Sequence, residues 1–199
     1  MIFEQLNHIY GPIRLSLDKD PIYENLNLIL LDSEIIYNNT IVVMVRDPRD
    51  ILVSFYYSIT ESHAYSANKE IRQMQEQDRN KWKKEGIEAF FLERAEILNT
   101  QFLQLYELLE NRNDVILIKY EQMINNYEHF KNLLLLKLDL SNHVLQKIYE
   151  ATRPMKDVDE KRHRRSGKVG GFRRTLNRDL VELLNLKLSE SLNRFQYNK

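Results

Sequence analysis

An arginine that ends an apolar run, and a hydroxyl eight residues beyond it, are the first residues whose types and spacing suggest chemistry. They are Arg46 and Ser54, within IVVMVRDPRDILVSFYYSIT at Ile41–Thr60. A guanidinium offers charge-assisted hydrogen bonds and a serine hydroxyl adds a further donor, a pair that suits a phosphate. Arg49 lies between them. The same spacing also fits a structural role, with Arg46 paired to Asp47 or Asp50 at a junction common in α/β proteins.

A second concentration lies at Val158–Arg174. Lys161, Arg162, Arg164, Arg165, Lys168, Arg173 and Arg174 crowd around Ser166-Gly167 and Gly170-Gly171, which hold three of the chain's five glycines. Glycine lets backbone approach a ligand and present N–H groups, while arginines supply charge. Three readings fit: a solvated loop, a nucleic-acid patch, or one wall of a small-anion pocket. The 29 basic and 29 acidic residues cancel, and no aromatics interleave the basic residues from Lys161 to Lys168 apart from His163, which counts against nucleic acid. A solvated loop would not need its glycines gathered there.

These residues need elements to position them. Ile41–Val45 is β-branched and apolar, the composition of a strand buried on both faces of a parallel sheet. Asp47 is placed to cap a helix, Pro48 fits its first turn, Asp50 sits three residues past the cap, and Ile51, Leu52, Phe55 and Ile59 follow at helical spacing. Arg46 then falls at the carboxyl end of a strand, where open α/β sheets bind ligands. Upstream, Ile2–Tyr10 has helical spacing, Ile13–Leu17 reads as a short strand, and Asn27–Tyr37 suits either state. Downstream, polar Glu61–Lys84 reads as a surface helix or excursion anchored by Trp82, and Ile87–Leu109 as an amphipathic helix carrying Phe90, Phe91, Ala95, Leu98, Phe102, Leu105 and Leu109. Val115–Ile118 is a second strand of buried type, Gln122–Leu136 a helix, and Ser141 caps another through about Ala151. From Leu176 a helix with Leu180, Leu183, Leu184, Leu188 and Leu192 on one stripe runs nearly to the end. This order predicts one α/β domain over residues 1–199, a parallel sheet flanked by helices.

Composition narrows the class. A chain of 199 residues, 43% hydrophobic and 29% charged, builds one ordinary core. It has no cysteine, which excludes disulfides and thiolate metal sites, and no metal is expected. No apolar run approaches the ~20 residues that span a bilayer, and the first residues lack a signal-peptide layout. A soluble, cytoplasmic protein is the expectation.

Arg46-Asp47-Pro48-Arg49-Asp50, with Val53-Ser54 and Tyr56, resembles the segment of sulfotransferases that use 3′-phosphoadenosine 5′-phosphosulfate (PAPS). Arg165-Ser166-Gly167-Lys168-Val169-Gly170-Gly171-Phe172 resembles their second nucleotide signature, and Tyr120-Glu121 resembles a tyrosine–glutamate pair between the two. The leucine-rich segment from Asn177, closing with Arg194-Phe195-Gln196-Tyr197, is similar to their terminal helix. The resemblance covers most of the chain from Ile41 and implies a P-loop-NTPase-like sulfotransferase fold. It implies that Arg46, Ser54, Arg165, Ser166 and Gly167 hold the 3′-phosphate and that Tyr120 contacts adenine. PAPS is the implied sulfuryl donor, and a small molecule or glycan bearing a hydroxyl or amine the implied acceptor.

Three departures qualify what the resemblance implies. Nothing in Met1–Thr40 resembles the family's 5′-phosphosulfate loop, so the expectation is an N-terminally incomplete fold. Leu17 stands where the family commonly carries a catalytic histidine, and His8 falls in a helical pattern. Ala151 and Thr152 precede Met155 in place of a serine–phenylalanine pair. No catalytic residue is identified, and the expectation is nucleotide binding with weak transfer or none. The alternatives are a non-catalytic nucleotide-binding or interaction module on the same fold and, more remotely, a nucleoside kinase.

Overall fold

The computed structural model describes residues 41–62, 65–113, 115–138, 146 and 169–197. Expectations that fall on residues 1–40, on the helix from Ser141 (save Gln146) and on Val158–Lys168 lie outside them. The chain divides into two compact units, one of residues 1–45 and 112–155, the other of 46–111 and 156–199.

In the first unit, strands β1 (Ile41–Val45) and β2 (Val115–Lys119) pair in parallel, with Ile41 opposite Val115 and Val45 opposite Lys119. The parallel pairing agrees with the sequence; the burial of β2 does not. Ile116 and Ile118 are buried but Leu117 is 41% exposed, because successive side chains point to opposite faces and, among the described residues, only one face of β2 is covered. Helices α1–α7 are numbered below in chain order. Helix α3 (Tyr120–Asn125) follows β2 directly, and α4 (Tyr127–Leu138) follows α3. The single helix expected over Gln122–Leu136 is interrupted at Asn126, whose backbone leaves the helical region and whose Oδ1 accepts the His129 N–H at 3.2 Å, capping α4.

The second unit opens with α1 (Pro48–Tyr57), which starts as its sequence predicts: Asp47 Oδ1 accepts the Arg49 N–H at 2.9 Å, and Pro48 occupies the first turn. It runs into a π-helical turn at Ser58–Ser62. Helix α2 (Lys69–Glu110) begins at Asn68, whose Oδ1 accepts the Glu70 N–H at 2.9 Å. The two segments expected on either side of Lys84–Ile87 are two helical stretches that meet at a kink at Gly86 (φ 84°, ψ 174°), a non-helical conformation open essentially only to glycine. Trp82 before the kink and Phe90 after it pack edge to face at 5.0 Å, both fully buried, and Lys81 Nζ meets Glu93 Oε2 at 2.7 Å across the bend. Phe91, Ala95, Leu98 and Phe102 continue the core.

The helix expected from Leu176 is two elements, α6 (Arg178–Lys187) and α7 (Ser189–Arg194), preceded by the short α5 (Phe172–Thr175). Asn177 Oδ1 caps α6 through the Leu180 N–H at 2.9 Å. The stripe survives these breaks, with Leu180, Leu184, Leu188 and Leu192 buried. No helix among the described residues is long and apolar enough to cross a membrane.

Candidate functional site

The site is built around the start of α1. Arg46, the residue after β1, keeps a quarter of its side chain exposed, and its Nη2 stands 3.8 Å from Asp50 Oδ2. Ser54 lies on α1, four residues beyond Asp50, and is exposed. Asp50 and Ser54 are four residues apart on α1, and Arg46 stands just before the helix, ahead of its cap Asp47. Arg46 does meet Asp50, as the structural reading of this junction anticipates, but the exposed part of its side chain still faces solvent.

Arg49 belongs to a different structure. It is 5% exposed and turned away from any phosphate role by a full set of protein partners. Its Nε and Nη2 donate to Asp47 Oδ1 and Oδ2 at 2.9 and 2.7 Å. Its Nη1 donates to Asn185 Oδ1 at 2.7 Å and its Nη2 to the Tyr197 carbonyl at 2.9 Å, while its guanidinium carbon lies 4.4 Å from the centre of the Phe172 ring. This arginine fastens α1 to α5, α6 and the residues after α7. It is structural.

Sequence reasoning missed the role of Asp50, which fits a capping position three residues past Asp47. Its oxygens instead reach 120 residues along the chain: Oδ2 accepts the Gly170 N–H at 2.7 Å and Oδ1 the Phe172 N–H at 2.8 Å. Gly170 has φ 68°, so the turn that delivers these N–H groups favours glycine. The glycine pair was expected to offer its N–H groups to a ligand; the Gly170 N–H is taken by Asp50. The available signal was an acidic residue at the centre of an arginine-rich motif, in a chain whose other arginine-rich segment carries a glycine pair.

Tyr56 is half-buried on α1, and burial holds its phenol above the usual tyrosine range, with Tyr57 and then Glu61 adding to the effect. It stays a neutral donor and is no base near neutrality. Tyr120, in the strand unit, is the first residue of α3 and half-buried. Arg165, Ser166 and Gly167 lie outside the described residues. Among the described residues no cluster of three or more acidic or histidine side chains is placed to hold a metal.

The class this arrangement defines is an α/β, helix-rich protein with a small parallel sheet, an arginine closing one strand and a glycine turn tied to the helix that follows it. A family model for the sulfotransferase domain matches residues 22–196, and the chain belongs to that family. Neither a curated protein nor a solved structure matches it.

Proposed function

We propose that this sulfotransferase-family chain binds PAPS by its 3′-phosphate through Arg46 and Ser54, joined by Arg165, Ser166 and Gly167, with Tyr120 against adenine. On this reading the whole chain works as one cytoplasmic domain of P-loop-NTPase-like fold. PAPS, when bound, supplies the activated sulfuryl group, and the acceptor is a hydroxyl or amine of a small molecule or glycan. The observation that carries the reading is the Asp50 tether. It holds Gly170 and Phe172, from the second nucleotide signature, against the first turn of α1 beside Arg46. Residues of the two signatures that resemble a nucleotide clamp are thus neighbours within one unit.

Arg46 and Ser54 bind and orient; neither moves a proton in this reading. Arg46 offers charge-assisted donors from a partly desolvated position, where they count for more than in open water. Leu17, standing where the family commonly carries histidine, cannot accept a proton from an acceptor hydroxyl. That residue favours a second reading, a nucleotide-binding module with little or no transfer.

Calorimetry with adenosine 3′,5′-bisphosphate and adenosine 5′-phosphate tests the first reading. The bisphosphate is expected to bind tighter, and Arg46→Ala to erase about 10- to 150-fold of its advantage, the equivalent of one charged hydrogen bond. Equal affinity for the two nucleotides, or a preference for ATP, would sink it. Transfer from labelled PAPS, lost on Arg46→Ala, would decide for the enzyme over the module.

A further inference from the structure

Asp50 carries an arrangement that the start of α1 does not require. The helix is already capped by Asp47, which also binds Arg49, so a second buried carboxylate at this turn needs another purpose. Asp50 is 2% exposed, and each of its oxygens accepts one backbone N–H from a segment 120 or more residues away. The oxygen that takes the Gly170 N–H is also the one that stands 3.8 Å from Arg46 Nη2. One carboxylate therefore restrains both the arginine and the glycine turn. A negative group so close to an anion site would ordinarily repel the ligand. Here two N–H donors and a guanidinium surround it and offset that charge.

We infer that Asp50 is a positioning residue for 3′-phosphate recognition: it aims the Arg46 guanidinium and anchors the glycine turn, so that both signatures share one support. The inference rests on the nucleotide reading above and adds to it the residue that sets its geometry. Asp50 acts through Arg46 and the turn and makes no contact with the nucleotide. Preorganised donors bind more tightly because less freedom is lost when the ligand arrives.

The test uses the full chain and reads one quantity, the affinity for adenosine 3′,5′-bisphosphate divided by that for adenosine 5′-phosphate. Asp50→Asn keeps the size and one acceptor oxygen but turns an N–H₂ toward one of the loop donors. It is expected to lower the ratio about 10-fold, and Asp50→Ala to lower it further. If Asp50→Ala does not fold, Asp50→Asn carries the test, with its thermal midpoint measured alongside. In the Arg46→Ala background Asp50→Asn should cost less than it does alone, because part of its effect passes through Arg46. A merely structural Asp50 would lower the midpoint and leave the ratio of the folded protein untouched. A carboxylate that only repelled phosphate would raise the ratio when neutralised. Either result overturns the inference while the nucleotide reading stands. A wild-type ratio of one overturns both.

Discussion

Replacing Arg49 with methionine separates the arginine that builds the fold from the arginine assigned to the ligand. The substitution leaves the Asp47 carboxylate, 7% exposed, without the two side-chain donors at 2.9 and 2.7 Å that neutralise it. It also strips a donor from Asn185 Oδ1 and from the Tyr197 carbonyl and removes the cation over Phe172. Breaking a buried ion pair from one side costs about 3–5 kcal/mol, a large share of the roughly 5–15 kcal/mol that holds a domain folded. With a urea slope of about 2 kcal/mol per molar, the unfolding midpoint should fall by about 2 M. Asp47→Asn combined with Arg49→Met should recover part of the loss, since asparagine still caps α1 but leaves no unpaired charge. The preference of the folded fraction for a 3′-phosphate should not change. A midpoint shift worth less than about 1 kcal/mol, or a double variant no better than the single, would refute the buried-charge reasoning. Loss of 3′-phosphate preference at unchanged stability would return Arg49 to the site.

Two further outcomes follow from local geometry. Gly86→Ala should destabilise the chain by about 1–3 kcal/mol in urea titration, wholly through the backbone, because no atom lies within 4 Å of the added carbon; a neutral result would remove the strain argument for the α2 kink. The exposed Glu96 carboxyl is held below its usual range, first by a hydrogen bond from Lys187 and then by that residue's charge, so its contribution to stability is present above the ordinary carboxylate range and lost as pH falls through the lowered value. Lys187→Met should return the Glu96 titration, followed by its side-chain carbon shift, upward toward normal, and an unmoved titration would refute the pairing.

What was legible in the sequence was local. Asp47 and Pro48 announced α1, Asn111 closed α2, and the β-branched runs gave both strands, because caps and strand composition act within a few residues. Boundaries that depend on one residue's backbone were harder to read. Gly86 leaves the helical region and sets a kink between two helical stretches of α2, and Leu188 divides α6 from α7 although it belongs to the same buried stripe. The division of labour among charged residues was not legible at all. Arg46 and Arg49 are the same amino acid three positions apart, yet one keeps part of its side chain in solvent while the other is enclosed by Asn185, Tyr197 and Phe172. The role of Arg49 is decided by partners some 120 to 150 residues away, which spacing does not encode.

The three charged residues after Arg46 therefore should not be read as one ligand-binding string. Asp47 and Arg49 close on each other and on the C-terminal segments, and this fixes where α1 begins in space. Asp50 takes that fixed position and uses it to hold Gly170 and Phe172. Arg46, at the edge of this framework, keeps its Nη2 3.8 Å from Asp50 Oδ2. A motif dense in opposite charges at a strand end can thus serve binding through a minority of its members. The rest stiffen the geometry around the partly exposed Arg46 guanidinium and the exposed Ser54 hydroxyl, the two groups proposed to meet a phosphate.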